Sequence, residues 1–177
     1  SLEVVIFNNW KTIDTIPSEA KLLGIGLDFG YTNDPTSAIE VYNWNGKRIV
    51  NEIVYRTGMV NSDIAKVLPS HVTIYADSSE PKSIEEIRRF GKMIKGVTKG
   101  TDSIRFGIDI MQRQEYLVTS QSTNLIKELR SYCWSLKKDG DKTNVPIDHF
   151  NHAIDALRYH EMESLGLKSN YGKYFIR

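Results

Sequence analysis

Between residues 23 and 29 the chain alternates strictly, with Leu23, Ile25, Leu27 and Phe29 separated by Gly24, Gly26 and Asp28. Successive side chains of a strand point to opposite faces, so this pattern predicts a strand with four apolar residues on one face. Asp28 falls on the other face, where its neighbours are glycines that leave open space around the carboxylate. Two more strands are expected over 37–44 and 48–55, joined by Asn45-Gly46, a dipeptide suited to a tight hairpin turn. A short helix over 62–68 with Ser62 as N-cap follows, then an apolar strand over 72–76 that ends at Asp77. Ser83, with Glu86 three residues later, predicts the start of a helix over 83–90. Gly91, Gly96 and Gly100 bracket a short strand at 93–97. Helices are expected over 103–114 and 122–131, and strands over 116–119 and 132–136. The run KKDGDKTN at 137–144 is a polar loop or hairpin tip, and the final helix spans 148–165. Three antiparallel strands followed by alternating helices and strands make an α/β domain with a mixed sheet. Residues 1–22 mix a short apolar run with loop-like residues and Pro17, and are expected to be a lead-in linker to a domain at 23–167, with a tail at 168–177.

The 177 residues suit one domain with a sizeable core, and 40% hydrophobic with 25% charged residues excludes disorder. No apolar run approaches the roughly 18 residues that a membrane span needs, which predicts a protein without a membrane partner. The lone Cys133 excludes an internal disulfide and a Cys-rich zinc site, which fits a reducing cytosol. The chain opens Ser1-Leu2-Glu3 without an initiator Met or signal peptide, so a piece of a longer polypeptide is expected. The net charge of +1 hides an uneven distribution: residues 1–40 carry a balance of −4 and residues 82–105 a balance of +4. An acidic cluster near a basic stretch suits a metal site beside a polyanion, but charge alone favours a solvated helix face plus a loop.

Three acids sit where hydrolytic chemistry wants them: Asp28 on a strand face, Asp77 at a strand end and Asp155 within the last helix. At about 100° per residue, Asp148, His152 and Asp155 fall within about 60° of one another, opposite Phe150, Ala153, Ile154 and Leu157. Taken singly, each has a plainer explanation. Asp148 suits an N-cap, His152 a surface histidine, and Asp155 a partner for Arg158 three residues on. Asp28 suits a solvent-facing strand residue, and Asp77 and Asp34, the latter in Asp34-Pro35, suit turns. Together they suit hard-cation binding, because oxygen ligands without thiolates select Mg²⁺ or Mn²⁺. Carboxylates crowded together repel one another, and two such ions can clamp the oxygens of a phosphodiester.

Four segments, in order, resemble the C-terminal nuclease domain of the large terminase subunit of tailed double-stranded DNA bacteriophages. They are Gly26-Leu27-Asp28-Phe29-Gly30 through Asp34-Pro35, and Ala76-Asp77-Ser78-Ser79-Glu80-Pro81-Lys82-Ser83-Ile84. Asp102-Ser103-Ile104 with Gly107-Ile108 follows, and Asn151-His152-Ala153-Ile154-Asp155-Ala156-Leu157-Arg158-Tyr159 closes the series. The resemblance implies a ribonuclease-H-like fold of the retroviral-integrase superfamily, a mixed central sheet with helices on both faces. It implies cleavage of concatemeric viral DNA with Mg²⁺ or Mn²⁺, two ions being expected once DNA is bound. Asp28, Asp77 and Asp155 match the metal-binding catalytic positions, and Asp34 and His152 match accessory ones. Lys137, Lys138 and Lys142 fall in a segment that contacts DNA in the family, and Lys92, Lys95, Lys99 and Arg105 are further candidates for phosphate contact. The implied partners are double-stranded DNA, the ATPase motor domain of the same polypeptide, the portal protein and the small terminase subunit, all in the host cytoplasm. No G-x-x-x-x-G-K-[ST] occurs here, so no ATP site is expected in this chain.

Two other classes stay open on the same residues. One is another ribonuclease-H-like nuclease, such as a junction resolvase, transposase or ribonuclease H. The other is a non-catalytic module that docks DNA or the portal. The run Gly26-Leu27-Asp28-Phe29-Gly30-Tyr31-Thr32-Asn33 also looks like the first phosphate motif of actin-like ATPases, but that fold needs two such domains and 177 residues are too few.

Overall fold

A computed structural model describes residues 4–98, 100 and 102–166 of the chain. The expected tail at 168–177 and Lys99 lie outside them. In chain order the elements are β1 (Trp10–Ile13), β2 (Lys21–Asp28), β3 (Thr36–Trp44), β4 (Lys47–Arg56), α1 (Asn61–Val67), β5 (Thr73–Asp77) and α2 (Pro81–Arg89). They continue with β6 (Met93–Val97), α3 (Ser103–Gln112), β7 (Tyr116–Thr119), α4 (Thr123–Ser131), β8 (Trp134–Leu136), β9 (Lys142–Pro146) and α5 (His152–Gly166). Seven strands form one sheet in the order β1-β7-β4-β3-β2-β5-β6, and β8 with β9 makes a separate two-stranded hairpin. Only β3 runs against its neighbours; the other pairings in the large sheet, β2–β5, β5–β6, β4–β7 and β1–β7, are parallel. Parallel strands bury both faces, and here helices cover both. Ile25, Leu27, Ile74 and Ile94 pack with Ile64 of α1 and Ile84 and Ile87 of α2 on one side. Ile39, Val41 and Val50 pack with Ile108 of α3, Leu125 and Leu129 of α4 and Ile154 and Leu157 of α5 on the other.

Several local expectations need correction. The lead-in is part of the domain: Ile6 and Phe7 are buried in the core, and β1 pairs in parallel with β7. Helix α1 starts at Asn61, and Asp63, not Ser62, reaches back to the N–H of Val60. Helix α2 starts two residues before Ser83, at Pro81, whose missing N–H costs nothing at a first helical position. Residues 142–146 form a strand, so the polar run closes a hairpin. Asp148 is no N-cap, because α5 begins at His152, and Phe150 lies outside the helix with 61% of its surface exposed.

The largest correction concerns the glycine face of β2, where the expected open space is filled by helix α5. A Cβ on Gly26 would come within 1.7 Å of the Ala156 carbonyl oxygen, and one on Gly24 within 2.9 Å of the His160 ring. The glycines therefore let the helix backbone lie directly on the strand. On α3, Gly107 leaves room for the Arg158 side chain, which a Cβ there would approach to 2.5 Å. The far end of α5 is locked by a buried polar cluster. Tyr116 donates to Glu161 Oε2 at 2.5 Å, Arg48 Nε lies 3.4 Å from the same oxygen, and His160 Nδ1 is 2.9 Å from Oε1. Burial opposes charge on Glu161, yet contact with His160 and the charge of Arg48 hold its carboxyl below the ordinary range. Replacing Gly26 by Ala should cost about 3 kcal/mol or more, since backbone atoms have no rotamer by which to yield. Chemical denaturation measures this, and an unchanged midpoint would contradict the packing described.

Candidate active site

Strands β2, β4 and β5 end at one edge of the sheet, where ligands of open α/β sheets generally bind. Leu27 is paired with Ala76, so Asp28 and Asp77 leave adjacent parallel strands side by side, about 4.8 Å apart in backbone terms. Helix α5 starts at this edge and packs its Ala156 against Gly26, which brings Asp155 and His152 toward Asp28. A cleft of about 880 Å³ opens there, lined by Asp28, Asp34, Asp148, His152 and Asp155, with Tyr55 and Arg56 on the β4 side. Asp77 is not among its lining residues. Its Oδ1 accepts the Ser79 N–H at 2.9 Å.

His152 joins two of the acids. Its Nδ1 stands 3.4 Å from Asp28 Oδ2 and its Nε2 3.5 Å from Asp34 Oδ1. Both nitrogens can donate only in the imidazolium form, and contact with Asp28 raises the His152 pKa accordingly. Asp155 Oδ1 lies 3.3 Å from Arg158 Nη2, whose side chain is buried against the Tyr159 ring. Burial raises the Asp155 pKa despite that pairing. Asp28 is pushed up to about 6, by burial first, with His152 opposing and the charge of Asp155 adding to the rise. The buried Tyr159 hydroxyl is raised by burial and then by the charges of Asp28, Asp155 and Asp77 together.

Behind the cleft, Glu128 of α4 is buried and caps the start of α5. Its Oε1 accepts the Ile154 N–H at 3.0 Å and its Oε2 accepts the Tyr55 hydroxyl at 2.6 Å. That carboxylate satisfies a helix-terminal donor that α5 leaves unpaired, and ties the helix to the cleft wall. Tyr55, Arg56 and Glu128 carry no local motif that would have singled them out; only the closed sheet brings them to the site.

None of the described basic candidates lines the cleft itself. Lys92 Nζ donates to the Leu68 carbonyl at 2.5 Å and to Ser70 Oγ at 3.0 Å, so it braces the loop before β5. In the same basic stretch Arg88 and Arg89 both pair with Glu85. Lys95 is exposed on edge strand β6, and Lys137, Lys138 and Lys142 are exposed on the β8–β9 hairpin. Arg105 lines a second hollow of about 460 Å³ that shares Asp148, Asn151 and Asp155 with the cleft.

Among the described residues, no three His, Cys, Asp or Glu side chains form a ready-made ion cage. The donors nevertheless fit a hard divalent cation: they are carboxylate oxygens, partly buried, and burial first, then the charge of Asp155, already lifts Asp28.

A mixed sheet with helices on both faces and acids at adjacent strand ends defines a ribonuclease-H-like domain. The chain belongs to the terminase ribonuclease-H-like domain family, whose model matches residues 28–160. It is similar to the manganese-bound nuclease domain of the bacteriophage SPP1 large terminase, with 26% identity, a TM-score of 0.79 and coverage of 92% of this chain and 100% of that one. The P22 large terminase nuclease domain shares the fold at 13% identity and a TM-score of 0.66, covering 90% and 91%. A large terminase from a thermophilic bacteriophage shares it at 21% identity and a TM-score of 0.71; 92% of this chain spans 45% of that protein. None of the curated proteins matches. Among the described residues no helix is long and apolar enough to cross a membrane.

The raised Asp28 pKa has a consequence for stability. The folded value of about 6 lies above the ordinary 3.8, so ionising this carboxyl costs more in the fold than in the unfolded chain. The penalty is absent below about pH 4, grows through the window between the two values and is complete above about pH 6. In chelator, Asp28→Asn should therefore be more stable than the parent at pH 7.5, on the order of 2–3 kcal/mol, and no more stable at pH 4. Melting curves at the two pH values check this; a variant less stable at pH 7.5 contradicts it.

Proposed function

We propose that this chain is the nuclease domain of a large terminase, a metal-dependent endonuclease that cuts concatemeric viral double-stranded DNA during genome packaging. The observation that carries this reading is that Asp28 and Asp77 leave the ends of adjacent parallel strands while Asp155 of α5 lines the same cleft as Asp28. Asp28, Asp77 and Asp155 would hold Mg²⁺ or Mn²⁺, the ions named in the SPP1 structure and in that of the G20c large terminase nuclease with bound magnesium. Bound there, such ions supply an activated water and charge neutralisation at the phosphate, two of them being expected with DNA in place. His152 orients Asp28 through Nδ1 and Asp34 through Nε2, and Arg158 fixes the rotamer of Asp155. Hydrolysis leaves 5′-phosphate and 3′-hydroxyl ends. Contacts to phosphates dominate such binding, which makes it salt-sensitive and weakly sequence-specific. Arg105, Lys137, Lys138 and Lys142 remain candidates for those contacts, as do Lys95 and Lys99, whereas Lys92 is engaged by the Leu68 carbonyl and Ser70. The chain works in the host cytoplasm with the ATPase motor domain of its own polypeptide, the portal and the small subunit.

A second reading is a DNA-docking module without catalysis. It is favoured by Asp155 being taken up by Arg158 and Asp77 by the Ser79 amide. Digestion of supercoiled plasmid with Mn²⁺, Mg²⁺ or EDTA separates the two. The nuclease reading predicts metal-dependent nicking and linearisation that Asp77→Asn abolishes without loss of fold. A folded sample that cuts with neither metal supports docking instead, and cleavage retained by Asp77→Asn removes that residue from the site.

A further inference from the structure

The wall of the cleft carries an exposed aromatic pair that the hydrolytic machinery does not use. Phe150 is 61% exposed, and its φ of 50° puts it in the left-handed region that bulky side chains avoid. Its ring meets that of His149 edge-on, with centroids 5.0 Å apart, and both residues line the cleft with Asp28, His152 and Asp155. A side chain of this size is disfavoured in that backbone region, and the exposed ring gains nothing from burial within this chain. A glycine or asparagine would meet the turn's geometry at lower cost. On the β4 side, Arg56 is the one Lys or Arg among the described lining residues.

The substrate poses a steric problem that this pair fits. The Asp28 and Asp155 side chains are only 14% and 20% exposed, so the scissile phosphate must descend between the walls. The acidic floor also repels a polyanion, so electrostatic attraction to the cleft itself is poor. A flat π-face supplies affinity that the charge does not, because every base stacks regardless of sequence. Apolar side chains wedged at a base step open and bend duplexes in just this way.

Resting on the nuclease reading, we propose that Phe150, backed by His149, stacks on a base unstacked from the DNA beside the scissile phosphate, while Arg56 contacts a neighbouring phosphate. The cleft then takes a locally opened duplex, not a straight one. Phe150 is a substrate-positioning residue with no part in proton or metal chemistry.

The test uses duplexes carrying 2-aminopurine, whose fluorescence rises on unstacking, bound in EDTA so that binding is read without cleavage. The parent should raise the fluorescence at one position of the duplex. Phe150→Ala should lose that signal and bind about 5- to 100-fold more weakly. In Mn²⁺ it should raise KM more than it lowers kcat, and a duplex with a two-base mismatch bubble should recover most of the loss. Phe150→Trp should restore both signal and KM. Phe90→Ala, which removes an aromatic 50% exposed at the end of α2, should change neither. Parent-like fluorescence and KM in Phe150→Ala overturn the proposal even if plasmid is cut. A fluorescence change lost in that variant, from a protein that cuts nothing, upholds the stacking role and overturns the nuclease reading. Absence of any DNA binding overturns both.

Discussion

The contact between β2 and α5 sets the position of everything else at the site. Strand β2 has no side chain at Gly26, and the Ala156 carbonyl occupies the place where a Cβ would stand. That contact fixes the depth of the helix on the sheet, while the ring of His160 against Gly24 fixes its rotation. With depth and rotation fixed, the first two turns of α5 can present His152 and Asp155 only toward the end of β2. The anchors lie at opposite ends of the helix. Arg48, Tyr116 and His160 hold Glu161 at the far end, and Glu128 caps the near end. Removing one partner of such a buried charged cluster is costly, so the helix is held as a rigid strut rather than as a loosely packed cylinder.

That rigidity lets the fold keep acids where electrostatics alone would scatter them. Burial and the charge of Asp155 both oppose ionisation of Asp28, and His152 and Arg158 offset them in part. The result is a site under electrostatic stress that neighbouring structure, not the site itself, maintains. Sites of this kind trade stability for function. Here the trade has a visible form: Arg158 and the Ser79 amide each engage an oxygen of Asp155 and Asp77, the acids that the proposed function assigns to a cation.

Elements with strong periodicity were legible from the chain alone. The alternation in β2, the Asn45-Gly46 turn with both residues at positive φ, and the bounds of β6 and β7 followed from local pattern. Strand β1 did not, because four residues at a sheet edge show no alternation and owe their conformation to parallel pairing with β7, over a hundred residues away. The glycines of β2 were visible, but their covering was not: alternation tells which face they occupy, not whether water or a helix backbone lies on it. Among the site residues, Asp28, Asp34, His152 and Asp155 do converge on one cleft, while Asp77 stands at the adjacent strand end outside its lining. Charge counting along the sequence pointed to Lys92 and its neighbours, yet Lys92, Arg88 and Arg89 are engaged with the protein itself, and the cation lining the cleft is Arg56. A residue such as Arg56, last in an ordinary strand, acquires its place only from tertiary closure.

The packing of α5 on β2 builds a carboxylate site, and under the proposed nuclease reading a divalent cation relieves its burial and its charge. Thermal unfolding with increasing Mn²⁺, at pH 7.5 and without DNA, tests it most directly, since a ligand bound by the folded state alone raises the melting temperature with concentration. The parent should show that rise, and Asp28→Asn and Asp155→Asn should each lose it although both remain folded. A melting temperature indifferent to Mn²⁺ in the parent, or an equal rise in both variants, would contradict the account.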